Sequence, residues 1–226
     1  MSKEAVILLH GLGRTRFSLQ KIANALKPDY QVINTGYPSR RYSIEALAEI
    51  AMGPSLEKCP DAERVHFVTH SMGGILVRQY LSNHTIQNLG NTVMLGPPNQ
   101  GSELVDFFTS KPVLNSIFKT VNGPAGIQLG TSLNSKPNSL QSNGDYPSNF
   151  NVGVIAGSKS NNPFFDTLIS GEHDGKVSVE RSKLTGEHQH IVMSVNHTFM
   201  MQNADVIDQI KHFLKLGKFK PITETQ

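Results

Sequence analysis

The chain of 226 residues carries one cysteine, Cys59, and no tryptophan. One thiol cannot close a disulfide within the chain, so folding does not depend on an oxidising compartment, and Cys59 reads as a small, partly buried apolar group. No apolar run approaches the ~20 residues that a membrane-spanning helix needs. The start, Met1-Ser2-Lys3-Glu4 and then the short run Ala5–Leu9, has too little apolar length for a signal peptide, which makes the cytoplasm the default expectation. Charge of one sign is scarce too. Basic side chains number 21 and acidic ones 18, leaving +3. The basic ones are scattered apart from Arg40-Arg41 and the stretch Lys211–Lys220, so nucleic-acid binding is not expected. With 38% hydrophobic and 17% charged residues, the composition suits one large folded domain rather than a disordered chain.

What is present is an alternation. Short apolar, β-branched runs alternate with segments of helical period, the pattern of a parallel sheet with crossover helices. Strands are expected at Ala5–Leu9, Gln31–Thr35, Val65–Thr69, Thr92–Leu95, Asn151–Ala156 and His190–Ser194. Leu19, Ile22, Ala23 and Leu26 share one helical face, as do Ile44, Leu47, Ala48 and Ala51. Ser43 caps the second of these helices, and Gly53-Pro54 should kink or end it. A last helix is expected at Ala204–Leu216, capped by Asn203 and stopped by Gly217.

The stretch Pro97–Phe150 breaks the alternation with Gly, Pro, Asn and Ser. It reads as an excursion over one edge of the sheet, with short helices at Ser102–Phe108 and Val113–Val121, and it carries Phe107, Phe108, Leu114, Ile117 and Phe118. A smaller excursion, Ser158–Glu172, brings Phe164, Phe165, Leu168 and Ile169.

The sharpest local signal is Val65-His66-Phe67-Val68-Thr69-His70-Ser71-Met72-Gly73-Gly74, an apolar strand running through a serine straight into a helical pattern. Such a turn strains the backbone to expose a nucleophilic hydroxyl, and small residues beside it let helix and strand pack closely. The usual glycine two residues before the serine is Thr69 here, and a serine at a helix start can equally be a simple cap. A serine hydroxyl also needs a base, a group that orients the base, and donors for an oxyanion. Candidates for all three follow in chain order: Asp174 in Glu172-His173-Asp174-Gly175, His197 in Val195-Asn196-His197-Thr198, and the glycine turn His10-Gly11-Leu12-Gly13 after the first strand.

With these motifs the chain resembles the α/β-hydrolase superfamily, specifically its small, minimal-core lipases and esterases. The likeness runs from His10 to the last helix and leaves out Pro97–Phe150. It implies an α/β fold: a mostly parallel sheet of about six strands, helices on both faces, and residues 97–150 as an inserted cap or lid within one domain, 1–226. Two antiparallel strands that open the sheet elsewhere in the family would be missing. The resemblance implies Ser71 as nucleophile, His197 as base, Asp174 as the acid behind it, and the backbone N–H groups of Leu12 and Met72 as oxyanion donors. Gly11, His10, Pro97 and the aromatic residues Phe107, Phe108, Phe164 and Phe165 would bind substrate, a small ester with an apolar acyl group. No cofactor, metal or nucleic acid is implied, and contact with a lipid interface is compatible.

Rivals remain on the page. Asp106, Asp166 or Glu172 could supply the acid. His188 and His190, with Glu187 or His173, hint at a metal site but lack further ligands at recognisable spacing. A dinucleotide fingerprint at Gly11-Leu12-Gly13 is rejected, because Arg16 stands where a third glycine belongs and Asn34-Thr35 where an acid would be. Acyl transfer, thioester hydrolysis, or a silent binding protein on the same fold are the alternative functions.

Overall fold

The computed structural model describes residues 4–142, 147, 150–186 and 188–221. Met1–Lys3, Glu187 and, within the Pro97–Phe150 stretch, residues 143–146 and 148–149 lie outside the described residues. Six strands, β1 (Ala5–Leu9), β2 (Gln31–Thr35), β3 (Val65–His70), β4 (Leu89–Leu95), β5 (Val152–Gly157) and β6 (Gln189–Met193), form one sheet in the order β2-β1-β3-β4-β5-β6. Every neighbouring pair is parallel. Parallel neighbours need crossover connections, and these carry α1 (Gln20–Leu26), α2 (Ile44–Leu56), α3 (Met72–Leu81), α4 (Glu103–Thr109), α5 (Pro112–Ile127), α6 (Lys136–Ser142) and the single turn α7 (Pro163–Asp166), while α8 (Ala204–Leu216) follows the last strand.

The two faces of the sheet follow from its period of two. In β1, Ala5, Ile7 and Leu9 join the core under α2 and α3, whereas Val6 and Leu8 join the core under α1 and α8. Both faces are covered, so β1 is apolar throughout and fully buried. Burying each of Val6, Ile7, Leu8 and Leu9 stabilises the fold by about 1.5–3 kcal/mol relative to exposure. β4 begins at Leu89, ahead of the expected Thr92. Its pairing with β3 is irregular there, and His66 Nδ1 accepts the Asn91 N–H at 2.9 Å, so Gly90-Asn91 enters the sheet despite poor strand propensity.

Ser43 accepts the Ala46 N–H and caps α2, but the helix is not ended by Gly53-Pro54. Pro54 is exposed, whereas Ala51, Met52 and Ser55 around it are buried, and Ser55 Oγ donates to the Ala51 carbonyl at 2.6 Å. Packing on both sides of the proline outweighs the local break. The last helix runs Ala204–Leu216, with Asn203 accepting two first-turn N–H groups and Gly217 left-handed at its end.

The long excursion also contributes to the core. Val105, Ala125, Leu129 and Leu140 join the cluster on the α2–α3 side, where their apolar surface is removed from water. α5 extends past Val121 to Ile127 through a kink at Gly123, whose φ of 71° turns the chain before Pro124 starts a second helical segment. α6 was not expected from its polar sequence. It is held from the core by the fully buried Arg78, which donates to the Pro137 carbonyl at 2.8 Å and to the Asn99 carbonyl at 3.1 Å. Among the described residues no helix is long and apolar enough to cross a membrane.

Candidate active site

Ser71 joins β3 to α3 with φ 53° and ψ −124°, and among the described residues no other non-glycine residue has a positive φ. Its N–H continues the sheet by donating to the Leu95 carbonyl at 2.8 Å. Its side chain makes no capping bond to α3, so the hydroxyl of a strained residue is left unused by the local structure. The strain is accommodated because Gly73 lets the start of α3 close onto β1: a Cβ there would lie 2.5 Å from the Leu9 carbonyl oxygen. Thr69 is tolerated two residues before Ser71 for a related reason. Its Oγ1 lies 3.3 Å from where a Gly74 Cβ would be, in room that a side chain on α3 would otherwise occupy.

At the C-terminal ends of β5 and β6, His197 Nδ1 lies 2.7 Å from Asp174 Oδ2, and the His197 N–H donates to the Asp174 carbonyl at 2.9 Å. The other carboxylate oxygen of Asp174 accepts the N–H groups of Lys176 (2.9 Å) and Val177 (2.8 Å). Both side chains are buried, Asp174 at 2% and His197 at 4% exposure. With its Nδ1–H donated to the carboxylate, the imidazole keeps a lone pair on Nε2. The rival acids are engaged elsewhere. Asp106 accepts the N–H and hydroxyl of Thr131, Asp166 lies 3.6 Å from His173, and Glu172 is exposed.

The glycine turn after β1 is closed by the Arg14 N–H on the Gly11 carbonyl and by the Gly13 N–H on Ser39 Oγ. His10 belongs to the turn's support: its ring stacks on Tyr37 at 4.1 Å, its Nδ1 donates to the Gly11 carbonyl, and its own carbonyl accepts the Tyr37 hydroxyl. His70 is buried behind His197 and donates from Nε2 to the His197 carbonyl at 3.0 Å. Burial first, then the neighbouring His197, hold His70 well below the usual histidine range, so it stays neutral. The backbone N–H of Met72 belongs to the first turn of α3, where N–H groups have no acceptor within the helix.

Ser71, His197, Gly11 and Leu12 line one cavity of about 200 Å³. Its apolar wall is built from both excursions, including Leu104, Val105, Phe108, Phe118, Leu129 and Phe165. Of the aromatic residues expected there, Phe108 and Phe165 reach the wall. Phe107 and Phe164 stand behind them, edge-on to one another at 5.9 Å, with Phe107 also edge-on to Phe108 at 5.4 Å. Pro98, rather than Pro97, faces the cavity, and His10 does not reach it. Ser102, at the end of the turn after β4, lines it as well, and sequence reasoning missed Arg14, Lys176 and Val177. Only the position of Lys176 and Val177 just past the Asp174-Gly175 turn pointed toward them. The histidine pair suspected of binding metal serves the β6 approach instead. His190 Nε2 is 2.8 Å from Ser182 Oγ, His188 bridges the Leu184 N–H and the Gly186 carbonyl, and Glu187 lies outside the described residues.

No known protein-family profile matches the chain, and no curated protein matches its sequence. Solved structures do. The mature lipase of Bacillus licheniformis is 17% identical, with 96% of this chain and 93% of that chain covered and a TM-score of 0.73. A phospholipase of Legionella pneumophila is 18% identical over 96% of this chain and 60% of that one, with a TM-score of 0.75. An esterase of a Rhodococcus species is 17% identical over 96% of this chain and 92% of that one, with a TM-score of 0.59. This chain has the α/β-hydrolase fold.

Proposed function

We propose that the protein is a serine hydrolase of carboxylic esters. The observation that carries this reading is the positive-φ Ser71, with its hydroxyl free of capping, on the wall of the same cavity as a histidine whose Nδ1 is bonded to a buried carboxylate. Ser71 Oγ attacks the ester carbonyl carbon while its proton passes to His197 Nε2. Asp174 holds the imidazole in the tautomer that can accept it and steadies the imidazolium. The oxyanion is met by the N–H groups of Leu12 and Met72, and loss of one such donor costs about 3–4 kcal/mol of barrier. Collapse expels the alcohol with the His197 proton and leaves an acyl group on Ser71, and water repeats the sequence to release the acid. No cofactor is required.

The apolar wall is suited to an acyl chain, and a space of about 200 Å³ lies below the ~300–1,000 Å³ typical of drug-sized sites, which favours short chains. In this reading residues 97–150 form a cap over the cleft within a single domain. The lipase, phospholipase and esterase names of the structural neighbours agree with this chemistry. The same triad would also serve acyl transfer to a second acceptor or thioester hydrolysis.

Two measurements test the proposal. A fluorophosphonate probe should label the native protein and not Ser71→Ala. A panel of p-nitrophenyl esters should be cleaved best at short acyl lengths. Absent or Ser71-independent labelling overturns the hydrolase reading in favour of a binding protein, and a flat response across the panel redirects it to thioesters or acyl transfer.

A further inference from the structure

Two cations line the cleft without a part in the reaction just described, Arg14 and Lys176. Both are fixed by their main chains to the turns that build the site. The Arg14 N–H closes the glycine turn on Gly11, the Lys176 N–H bonds Asp174 Oδ1, and the Lys176 carbonyl accepts the Ser102 hydroxyl at 2.8 Å. Among the described residues neither side chain makes an ion pair. Asp174, which precedes Lys176 across the glycine turn in the chain, is bonded to His197 at 2.7 Å.

The fields of the two cations converge. Burial and then Arg14 push the Lys176 ammonium below the usual lysine range, and both cations contribute to holding His70 neutral. Two like charges on one small, largely apolar wall repel each other, and a bound anion would relieve them. Leu12, Phe165 and Val177 line the same space.

Resting on the hydrolase reading, we propose that the natural substrate is an ester bearing an anionic group, a phosphate or a carboxylate, which Arg14 and Lys176 bind while the apolar wall takes the acyl chain. An Arg fork and a Lys point charge suit either oxyanion.

The test compares three esters of one acyl group: 1-butanoylglycerol, its 3-phosphate, and the butanoyl ester of glycerate. At low salt, kcat/KM for one or both anionic esters should exceed that for the neutral ester by about tenfold or more, and the excess should shrink as NaCl rises. The better of the two identifies phosphate or carboxylate. In Arg14→Gln and in Lys176→Gln the anionic-to-neutral ratio should fall toward one, whatever happens to absolute rates, while Lys176→Arg keeps it. Equal rates on neutral and anionic esters in the native enzyme, or a ratio that both Gln variants leave unchanged, overturn the proposal and leave the hydrolase reading standing. If no ester is cleaved, calorimetric titration of the Ser71→Ala protein with the ether 1-O-butylglycerol 3-phosphate decides separately. Salt-sensitive binding that weakens on adding Arg14→Gln supports the cation site, and its absence overturns it.

Discussion

Gly96 and Asp174 meet where no side chain fits: a Cβ on Gly96 would lie 2.8 Å from Asp174 Oδ2 and 3.0 Å from His197 Nδ1. Gly96 follows β4, donates its N–H to the Ile155 carbonyl at 2.9 Å and holds φ at 50°. The carboxylate and imidazole can approach each other only because this turn is bare.

Gly96→Ala is therefore expected to disturb the Asp174–His197 contact directly. The positive φ adds about 1–2 kcal/mol of strain, a melting-temperature loss of several degrees for a chain of this size. The larger effect should be on kcat, about 100-fold or more, because the base loses its orientation. Steady-state kinetics beside circular dichroism melts will separate the two, and a folded Gly96→Ala protein with native kcat would mean that the contact has no catalytic use.

Ser71→Ala and His197→Ala should each lower kcat by about four to six orders of magnitude, and the double variant should be no worse than either single one. A nucleophile without its base, and a base without its nucleophile, fail at the same step. Additive losses, measured under single-turnover conditions, would show that the two residues do not act as a unit.

Thr69→Val should stabilise the protein. Thr69 is fully buried, and its hydroxyl has no hydrogen-bond partner among the described residues. Replacing it with a methyl of similar shape removes the desolvation penalty of an unsatisfied group, on the order of 1 kcal/mol or a rise of about 2–4 °C in melting temperature. A lower melting temperature would indicate that the hydroxyl is satisfied in solution.

Acid should weaken the fold in two stages. Burial holds His10, His66, His70 and His190 below the ordinary histidine value of 6.5, His190 at about 4. Below pH 6.5 the unfolded chain takes up protons that these native histidines refuse, so stability is highest above that pH and declines as pH falls. Glu45 enters later. Burial opposes its ionisation, but bonds from Lys136 and Gln128 outweigh burial and hold it at about 2, so its contribution fades between pH 4.5 and 2. Urea unfolding between pH 8 and 5 should show stability falling with acid, by at most about 1.4 kcal/mol per pH unit for each histidine. His190→Gln should flatten the slope, and a pH-independent stability over that range would contradict the account.

The strands were legible because a parallel sheet covered on both faces leaves runs such as Val6-Ile7-Leu8-Leu9 no polar side to show. The helices α1, α2 and α8 were legible from apolar stripes and caps. Ser71, Asp174 and His197 stood out as a set through their chain order, since each motif alone reads equally as a cap or a turn. The continuation of α2 through Pro54 was hidden, because buried neighbours decide it and not the proline. α6 was hidden too, because its polar sequence gains order from Arg78 and the core beneath it.

By itself, then, the sequence determined the layered α/β architecture and the residue types able to carry acyl-transfer chemistry, since periodicity and chain order are local or serial properties. Which side chains share the cleft was decided only by the tertiary structure. Pro98 rather than Pro97, Phe108 and Phe165 rather than Phe107 and Phe164, and the cations Arg14 and Lys176 reach it from segments far apart in the chain. Their meeting depends on how two excursions settle on the sheet, and packing of that kind leaves no period in the sequence to read.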